Sequence, residues 1–245
     1  MSRKLAAALL LVLIPMSGAS AANISAERLA KRIGQVFAGY EDFWVWVTQR
    51  FRDADGNEVE YRGRVYFKRD KMFRLNFGQP PFLIHGTDGK EYWIYRADRK
   101  VIEFTDLDRE APVHVLFQVF AAGDQMVRAL DRFFNVDALE EGVYTDPKTK
   151  KEIPAFKLVI SLKPERLKEM REKAGNKLTD KDAKQRWTFW IEKKTFLPKL
   201  IQVDWETKDR YIFELEKFYY NIPLSPKLFR RPTPPGVKTV EMKKK

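Results

Sequence analysis

The chain has 245 residues, of which 44% are hydrophobic and 33% are charged, a balance typical of a globular protein and not of a disordered one. Its formal net charge of +12 favours anionic partners such as phospholipid head groups, nucleic acid or acidic proteins. The absence of cysteine excludes disulfides, thiolate chemistry and lipidation of a cysteine.

The first 21 residues have the three parts of a secretory signal peptide. Arg3 and Lys4 form a basic start, the apolar run from Leu5 to Met16 follows, and Ala19-Ser20-Ala21 matches a small-x-small cleavage site. Because the apolar run is too short to cross a bilayer, an uncleaved anchor helix is the less favoured alternative. We therefore predict export, cleavage after Ala21, and a single mature domain over residues 22–245.

A helix and then a series of strands are expected along the mature chain. Ser25 can cap an amphipathic helix that ends before Gly39. Aromatic and β-branched runs then alternate with short turns, which favours an antiparallel meander. The fold class is therefore mainly β with α (α+β). The expected strands span residues 43–51, 61–69, 72–77, 82–85, 92–95, 100–104, 156–162, 187–192, 199–205 and 211–219.

Three further segments depart from this meander. Residues 112–134 have helical spacing, with Val113, Leu116 and Phe117 on one side. Residues 165–182 are mostly charged and predict a solvated helical insertion inside a hairpin. The Pro-rich tail ends in a basic segment that we expect to be frayed.

The stretch RVYFKRDKMFRLNF, residues 64–77, could be a nucleic-acid surface or a hairpin with one apolar and one charged face. A single-strand platform needs aromatic and cationic side chains on the same exposed face. Alternation along two strands instead separates them, so we expect no nucleic-acid partner. The inward set is Val65, Phe67, Phe73, Leu75 and Phe77, and the outward basic set is Arg62, Arg64, Lys68 and Arg74.

Arg69 breaks this alternation, because its parity places it at the end of the apolar face. It either lies in the turn and points to water, or it reaches across the mouth of an apolar interior, where a guanidinium can hold several carbonyls. The outward basic set also has two interpretations: a solvated charged surface, or a docking surface for an acidic partner.

The apolar face of such a sheet needs a cover. Residues 24–38 and 112–134 are the elements able to provide it, and the result is either a packed core or a pocket under a lid. The many aromatic residues do not decide between the two.

Few residues are suited to catalysis or metal binding. The mature chain has three serines and two histidines, His85 and His114, and Ser25 is explained as a helix cap. GTDGK is a hairpin turn that lacks the spacing of a phosphate-binding loop. We predict no enzyme, no cofactor and no metal site, although a pair of carboxylates that acts on glycosides would not be recognisable from sequence.

Several motifs resemble the periplasmic outer-membrane lipoprotein carriers of the LolA type. They are TQRF at residues 48–51, GRVYFKRDKMFRLNF at 63–77, QPP at 79–81, DGKEYWIY at 88–95 and PPGVKTV at 234–240. Together with the order of helices and strands, the resemblance covers most of the mature chain.

The resemblance implies an incomplete, strongly curved antiparallel β-barrel closed by a helical lid. Its hollow would take up the acyl chains of lipoproteins, which a monomeric carrier receives from an inner-membrane ABC transporter complex and passes to an outer-membrane acceptor. The position that matches Arg69 is a latch that holds the lid. The expected cargo cavity comprises Val65, Phe67, Phe73, Leu75, Phe77, Val113, Leu116 and Phe117.

The sequence departs from that family at three places. Asp70 stands where a proline is usual, the insertion at 165–182 is longer, and the tail reads RPTPPGV. Because related families share the architecture, a periplasmic protein that binds or senses another lipid or glycolipid is the alternative function.

Overall fold

The computed structural model describes residues 20–21, 24–107, 120, 126–166, 168 and 185–242. Val113, Leu116 and Phe117 of the expected cavity lie outside these ranges, as do His114, most of the signal peptide and most of the charged insertion. The described helices are α1 (Ala26–Ala38), α2 (Met126–Phe133) and a 3-10 helix (Pro226–Phe229). The strands are β1 (Ser20–Ala21), β2 (Asp42–Arg52), β3 (Glu58–Lys68), β4 (Met72–Phe77), β5 (Leu83–Asp88), β6 (Glu91–Arg96), β7 (Val101–Asp106), β8 (Phe134–Thr145), β9 (Glu152–Leu162), β10 (Gln185–Glu192), β11 (Pro198–Trp205), β12 (Arg210–Tyr220) and β13 (Lys238–Glu241).

These strands form one large curved sheet in the order β1-β8-β9-β10-β11-β12-β2-β3-β4-β5-β6-β7-β13. Every neighbouring pair is antiparallel except β13, which runs parallel to β7. In the described residues the two end strands do not pair, so the sheet is open and not a closed barrel. The α+β fold class and the antiparallel meander are confirmed, whereas the helical lid stays a prediction.

The register sorts side chains onto a concave and a convex face. Val65 lies opposite Val45 and Leu75, and Phe67 lies opposite Phe43 and Phe73. Because directly opposed residues share a face, the apolar residues of β2, β3 and β4 collect on the concave side. The hydrophobic core on this side also includes residues of β9 to β12.

Helix α1 covers part of the concave face. Ser25 caps it by accepting a hydrogen bond from the backbone amide of Arg28 at 3.2 Å, as the sequence predicts. The ring of Phe37 lies 5.7 Å from that of Phe43 and 5.5 Å from that of Phe120. The apolar side of α1 is thus buried against the sheet and against Phe120. No described helix is long and apolar enough to cross a membrane.

The C-terminal segment covers the convex side of β4 to β7. Phe229 is fully buried, its carbonyl accepts a hydrogen bond from the indole of Trp93 at 3.4 Å, and the carbonyl of Leu228 accepts one from Arg74 at 2.8 Å. Beyond the 3-10 helix, β13 adds to the sheet edge. Apolar side chains and edge pairing thus hold residues 224–242 in place. The last three residues of the basic end, which we expect to be frayed, lie outside the described residues.

Strand β8 differs from the sequence-based expectation of a helix through residue 134. Helix α2 ends at Phe133 and the strand begins at once. The segment carries acidic residues and a bulge between Val136 and Ala138, so it lacks the regular alternation that indicates a strand.

Two glycines allow close approach between strands or rings. A Cβ on Gly63 would lie 2.2 Å from the carbonyl oxygen of Asn76, and a Cβ on Gly86 would lie 2.3 Å from a ring carbon of Trp93. A larger residue at either position would displace the neighbouring strand or the indole that packs on the convex side.

Candidate functional site

The five expected cavity residues that the structure describes line the concave face, but they are packed. Val65, Phe73 and Leu75 are fully buried, and Phe67 and Phe77 are nearly so. The ring of Phe67 lies 5.2 Å from that of Phe43 and 6.4 Å from that of Phe120. These residues form a single core with α1, so a cargo chain could reach them only if α1 or its neighbours moved.

The concave face continues beyond this packed region into a more open one. Tyr61 lies 5.3 Å from Phe82 by ring centroid, and Phe51 lies 4.7 Å from Tyr211. Val59 is 42% exposed and Phe82 is 40% exposed, whereas the rings of Phe51, Tyr61 and Tyr211 are half-buried. We call these five residues, Phe51, Val59, Tyr61, Phe82 and Tyr211, the open aromatic region. This part of the concave face is less deeply buried than the packed core.

Two polar atoms on the concave face have no partner. The Oε1 atom of Gln49 and the Nε1 atom of Trp187 are buried and form no hydrogen bond within the described residues. Gln49 opposes Tyr61 and Phe213, and Trp187 opposes Ile160 and Val203, which places both on the apolar side. An orphaned buried acceptor or donor costs about 1–3 kcal/mol. A ligand that offers a donor to Gln49 or an acceptor to Trp187 beside its apolar part would satisfy that atom.

Arg69 holds the C-terminal end of α1. Its guanidinium donates a hydrogen bond to the carbonyl oxygen of Ala38, the last residue of the helix, at 3.0 Å. Its backbone amide donates to the carbonyl of Glu41 at 2.8 Å. Arg69 lies in the exposed turn after β3, as one of the two alternatives from the sequence expects, and its side chain reaches from there to a helix that covers the concave face. Whether it also contacts the segment at 112–134 stays a prediction, because that segment lies almost wholly outside the described residues.

His85 is part of the concave face of β5, where its Nδ1 lies 2.7 Å from the hydroxyl of Tyr92. Burial, with a smaller contribution from the charge of Arg96, lowers the pKa of His85 to about 4. The imidazole is therefore neutral near neutral pH. Within the described ranges, no group of three or more potential metal-ligating side chains comes together.

The outward basic set lies on the convex face, as the alternation predicts. Each member already has a neighbour within the described residues. Arg62 is 3.6 Å from Glu216, Lys68 is 3.5 Å from Asp42, and Arg74 is covered by the 3-10 helix. The fourth, Arg64, has its guanidinium carbon 4.0 Å from the centre of the Trp46 ring.

Aromatic residues also lie on the convex face, beside the basic set that the sequence predicts there. Trp44 lies opposite Tyr66 and Tyr219, and Trp46 lies opposite Arg64. The rings of Trp44 and Tyr219 stack at 3.9 Å. The signal was present in the sequence, because period-2 parity in residues 43–51 already places both tryptophans outward.

A groove of about 690 Å³ opens on this convex face. Arg62, Arg64 and Asn76 contribute polar groups, and Trp46 and Tyr66 contribute aromatic ones. Its remaining lining residues are Gly63, Gly78, Gln79, Pro81 and Glu216.

Two carboxylates on β12 support the convex side of the sheet. Glu214 is buried and pairs with Arg50, and burial raises the pKa of Glu214 in spite of that cation. Glu216 accepts a hydrogen bond from Thr48 at 3.0 Å and pairs with Lys148. Glu216, which lines the groove, is thus already neutralised by Lys148.

Comparisons with known proteins report similarity at the level of fold. No family model matches the sequence, and no curated protein matches it. An uncharacterized conserved protein from Thermus thermophilus is similar with a TM-score of 0.51 and 15% identity, over 89% of this chain and 100% of that one. LolA superfamily protein NE2245 from Nitrosomonas europaea gives a TM-score of 0.44 and 10% identity, over 85% and 98%. A putative outer membrane lipoprotein-sorting protein domain from Vibrio parahaemolyticus gives 0.42 and 12%, over 83% and 95%.

At such low identity, what this chain shares with the Thermus thermophilus protein is its fold.

Proposed function

We propose that this protein is a periplasmic carrier that binds the acyl chains of lipoproteins on its concave face and moves them from the inner to the outer membrane. The observation that carries the proposal is the continuous apolar concave face, packed under α1 and accessible at the open aromatic region. The motif resemblance between residues 48 and 95 supports lipoproteins as the cargo.

The energetics of such a face suit acyl chains. Each buried methylene contributes about 0.8 kcal/mol, so one long chain gains on the order of 10 kcal/mol before costs. Cargo with several chains would be held too tightly to release unless another contribution to the free energy opposed its binding. Closure of α1 onto the same core opposes binding, because the closed empty form competes with the loaded form.

The unpartnered atoms of Gln49 and Trp187 add a polar element to this apolar face. Binding sites of this type usually combine apolar walls with a few polar groups that fix the orientation of the ligand. Ester or amide groups beside the acyl chains of a lipoprotein offer suitable acceptors and, for an amide, a donor.

The remaining parts of the proposal follow the resemblance. The carrier has no enzymatic activity, works as a monomer, enters the periplasm through its cleaved signal peptide, and meets an inner-membrane ABC transporter complex and an outer-membrane acceptor. Arg62, Arg64, Lys68 and Arg74 of the convex face are candidates for contact with an acidic partner.

Site-specific photo-crosslinking in the periplasm of a Gram-negative host tests the proposal. A photoreactive amino acid replaces Phe82 or Val59 in the open aromatic region, and Val240, which is 47% exposed on β13, serves as the matched control. We expect acylated lipoproteins to be captured at the first two positions and not at the third. Capture of free phospholipid or glycolipid alone would support the alternative of a protein that binds or senses another lipid. Equal capture at all three positions would refute a cargo site on the concave face.

A further inference from the structure

We propose that the groove on the convex face binds the phosphate-bearing head group of an anionic phospholipid and so places the protein on anionic membranes. This inference uses the side of the sheet opposite to the cargo face. It depends on different residues from the proposed cargo site on the concave face, so each can fail alone.

Arg64 is held by aromatic rings at the groove. Its guanidinium stacks on Trp46 at 4.0 Å and lies 5.5 Å from the ring centre of Trp44. Stacking occupies the flat faces of a guanidinium and leaves its N–H donors, which lie in the plane of the group, available. No carboxylate partner for Arg64 occurs among the residues that the structure describes. The floor of the groove therefore presents a fixed, planar set of donors to an anion.

The groove also carries an excess of positive charge. Arg62 stands at the same groove, with a side chain that is 63% exposed, and its nearest carboxylate is Glu216 at 3.6 Å. Glu216 is already paired with Lys148 and hydrogen-bonded to Thr48. One carboxylate thus stands among three cations, Arg62, Arg64 and Lys148, and the groove keeps an excess of positive charge that a phosphate would neutralise. Charge-assisted bonds from a guanidinium to phosphate are among the strongest that a protein forms.

The aromatic lining of the groove favours a lipid over a soluble anion or an acidic protein. Trp46 and Tyr66 line the groove, and the stacked rings of Trp44 and Tyr219 continue the surface beside it. Indole and phenol rings have an apolar body and a polar edge, and such rings are enriched where membrane meets water. A phospholipid head group and its glycerol backbone can contact the arginines and the aromatic rings at the same time. The volume of about 690 Å³ is that of a small-molecule site.

Vesicle binding by the mature chain tests the inference. We expect it to sediment with vesicles that contain phosphatidylglycerol and phosphatidylcholine, and not with phosphatidylcholine alone. Arg64→Gln and Arg64→Lys should each weaken this binding about tenfold, because lysine restores the charge but not the planar donors. Arg52→Gln is the matched control: it removes one convex-face arginine that pairs with Glu58 outside the groove, and it should change binding less than about twofold.

Further arms separate the alternatives. Arg62→Gln changes an exposed side chain and should weaken binding even if substitution of Arg64 disturbs folding. Equal losses in Arg52→Gln and Arg64→Gln would show attraction by net charge alone and overturn the proposal. Binding of soluble glycerol 1-phosphate without any binding to vesicles would overturn the lipid assignment. So would capture of an acidic peptide in the groove with no vesicle binding, and so would no binding to vesicles at all.

Discussion

Arg69→Leu should loosen α1 without unfolding the sheet. The substitution removes one hydrogen bond, from the guanidinium to the carbonyl of Ala38 at 3.0 Å, and keeps the backbone bond to Glu41. Such a bond contributes about 1 kcal/mol net, and a cation at a helix C-terminus adds about 0.3–1 kcal/mol. The sum, about 1.5 kcal/mol, corresponds to about a tenfold increase in the open population of α1.

Amide hydrogen exchange followed by mass spectrometry measures this directly. Peptides that cover α1 should exchange about tenfold faster in Arg69→Leu, whereas peptides from β3 and β4 should keep their wild-type rates. Arg99→Leu is the control, because Arg99 is an exposed arginine whose neighbour is Asp98 and which lies in the turn between β6 and β7.

The same variant should bind a fluorescent fatty acid more tightly, by up to about tenfold, since the closed empty form has lost part of its advantage. Unchanged exchange in α1 would refute the latch. A similar acceleration in Arg99→Leu would also refute it, because the effect would then come from lost charge and not from the bond to Ala38.

Three further substitutions test other parts of the molecule by urea unfolding. Gly86→Ala should cost about 1–3 kcal/mol because its Cβ would meet an indole at 2.3 Å, whereas Gly142→Ala, whose nearest neighbour is at 3.6 Å, should be nearly neutral; equal effects would contradict this packing. Arg50→Met should cost about 3 kcal/mol because it leaves the buried Glu214 carboxylate without its cation. Adding Glu214→Gln should recover most of that loss, and no recovery would show that the pair is not the cause. The wild type should lose about 2 kcal/mol from His85 between pH 7 and pH 5, since the unfolded imidazole takes up its proton near pH 6.5 but the folded one only near pH 4. His85→Gln should lack this component, and an unchanged pH dependence would refute the assignment.

Most of the sheet could be predicted from local pattern. The range of β4, residues 72–77, agrees with the sequence prediction, and the register confirms that Arg62 and Arg64 point away from the core. Alternation is a property of a single strand, so one sequence is enough to reveal it. Turn residues between the runs then fix the antiparallel order.

What the sequence could not reveal depends on contacts between distant segments. Phe229 is buried under the convex side only because the chain returns there after β12, and nothing near residue 229 indicates that destination. Phe73 and Leu75 pack against α1 rather than around a hollow, and this contact too joins segments that are distant in the sequence. The groove on the convex face likewise depends on residues that are distant in the sequence, since Trp46 of β2 and Arg64 of β3 both line it.

One end of the sheet bears on how the proposed exported chain avoids self-association. Strand β1 pairs with Glu140 and Glu141 of β8, and it includes Ala21, after which we predict cleavage. Cleavage there would remove this two-residue partner, so that no described strand would pair with the outer side of β8, which spans twelve residues. A long, regular free edge invites another chain to add a strand, and charges and bulges discourage it. The acidic residues and the bulge that make β8 unlike a strand in sequence are suited to such an edge.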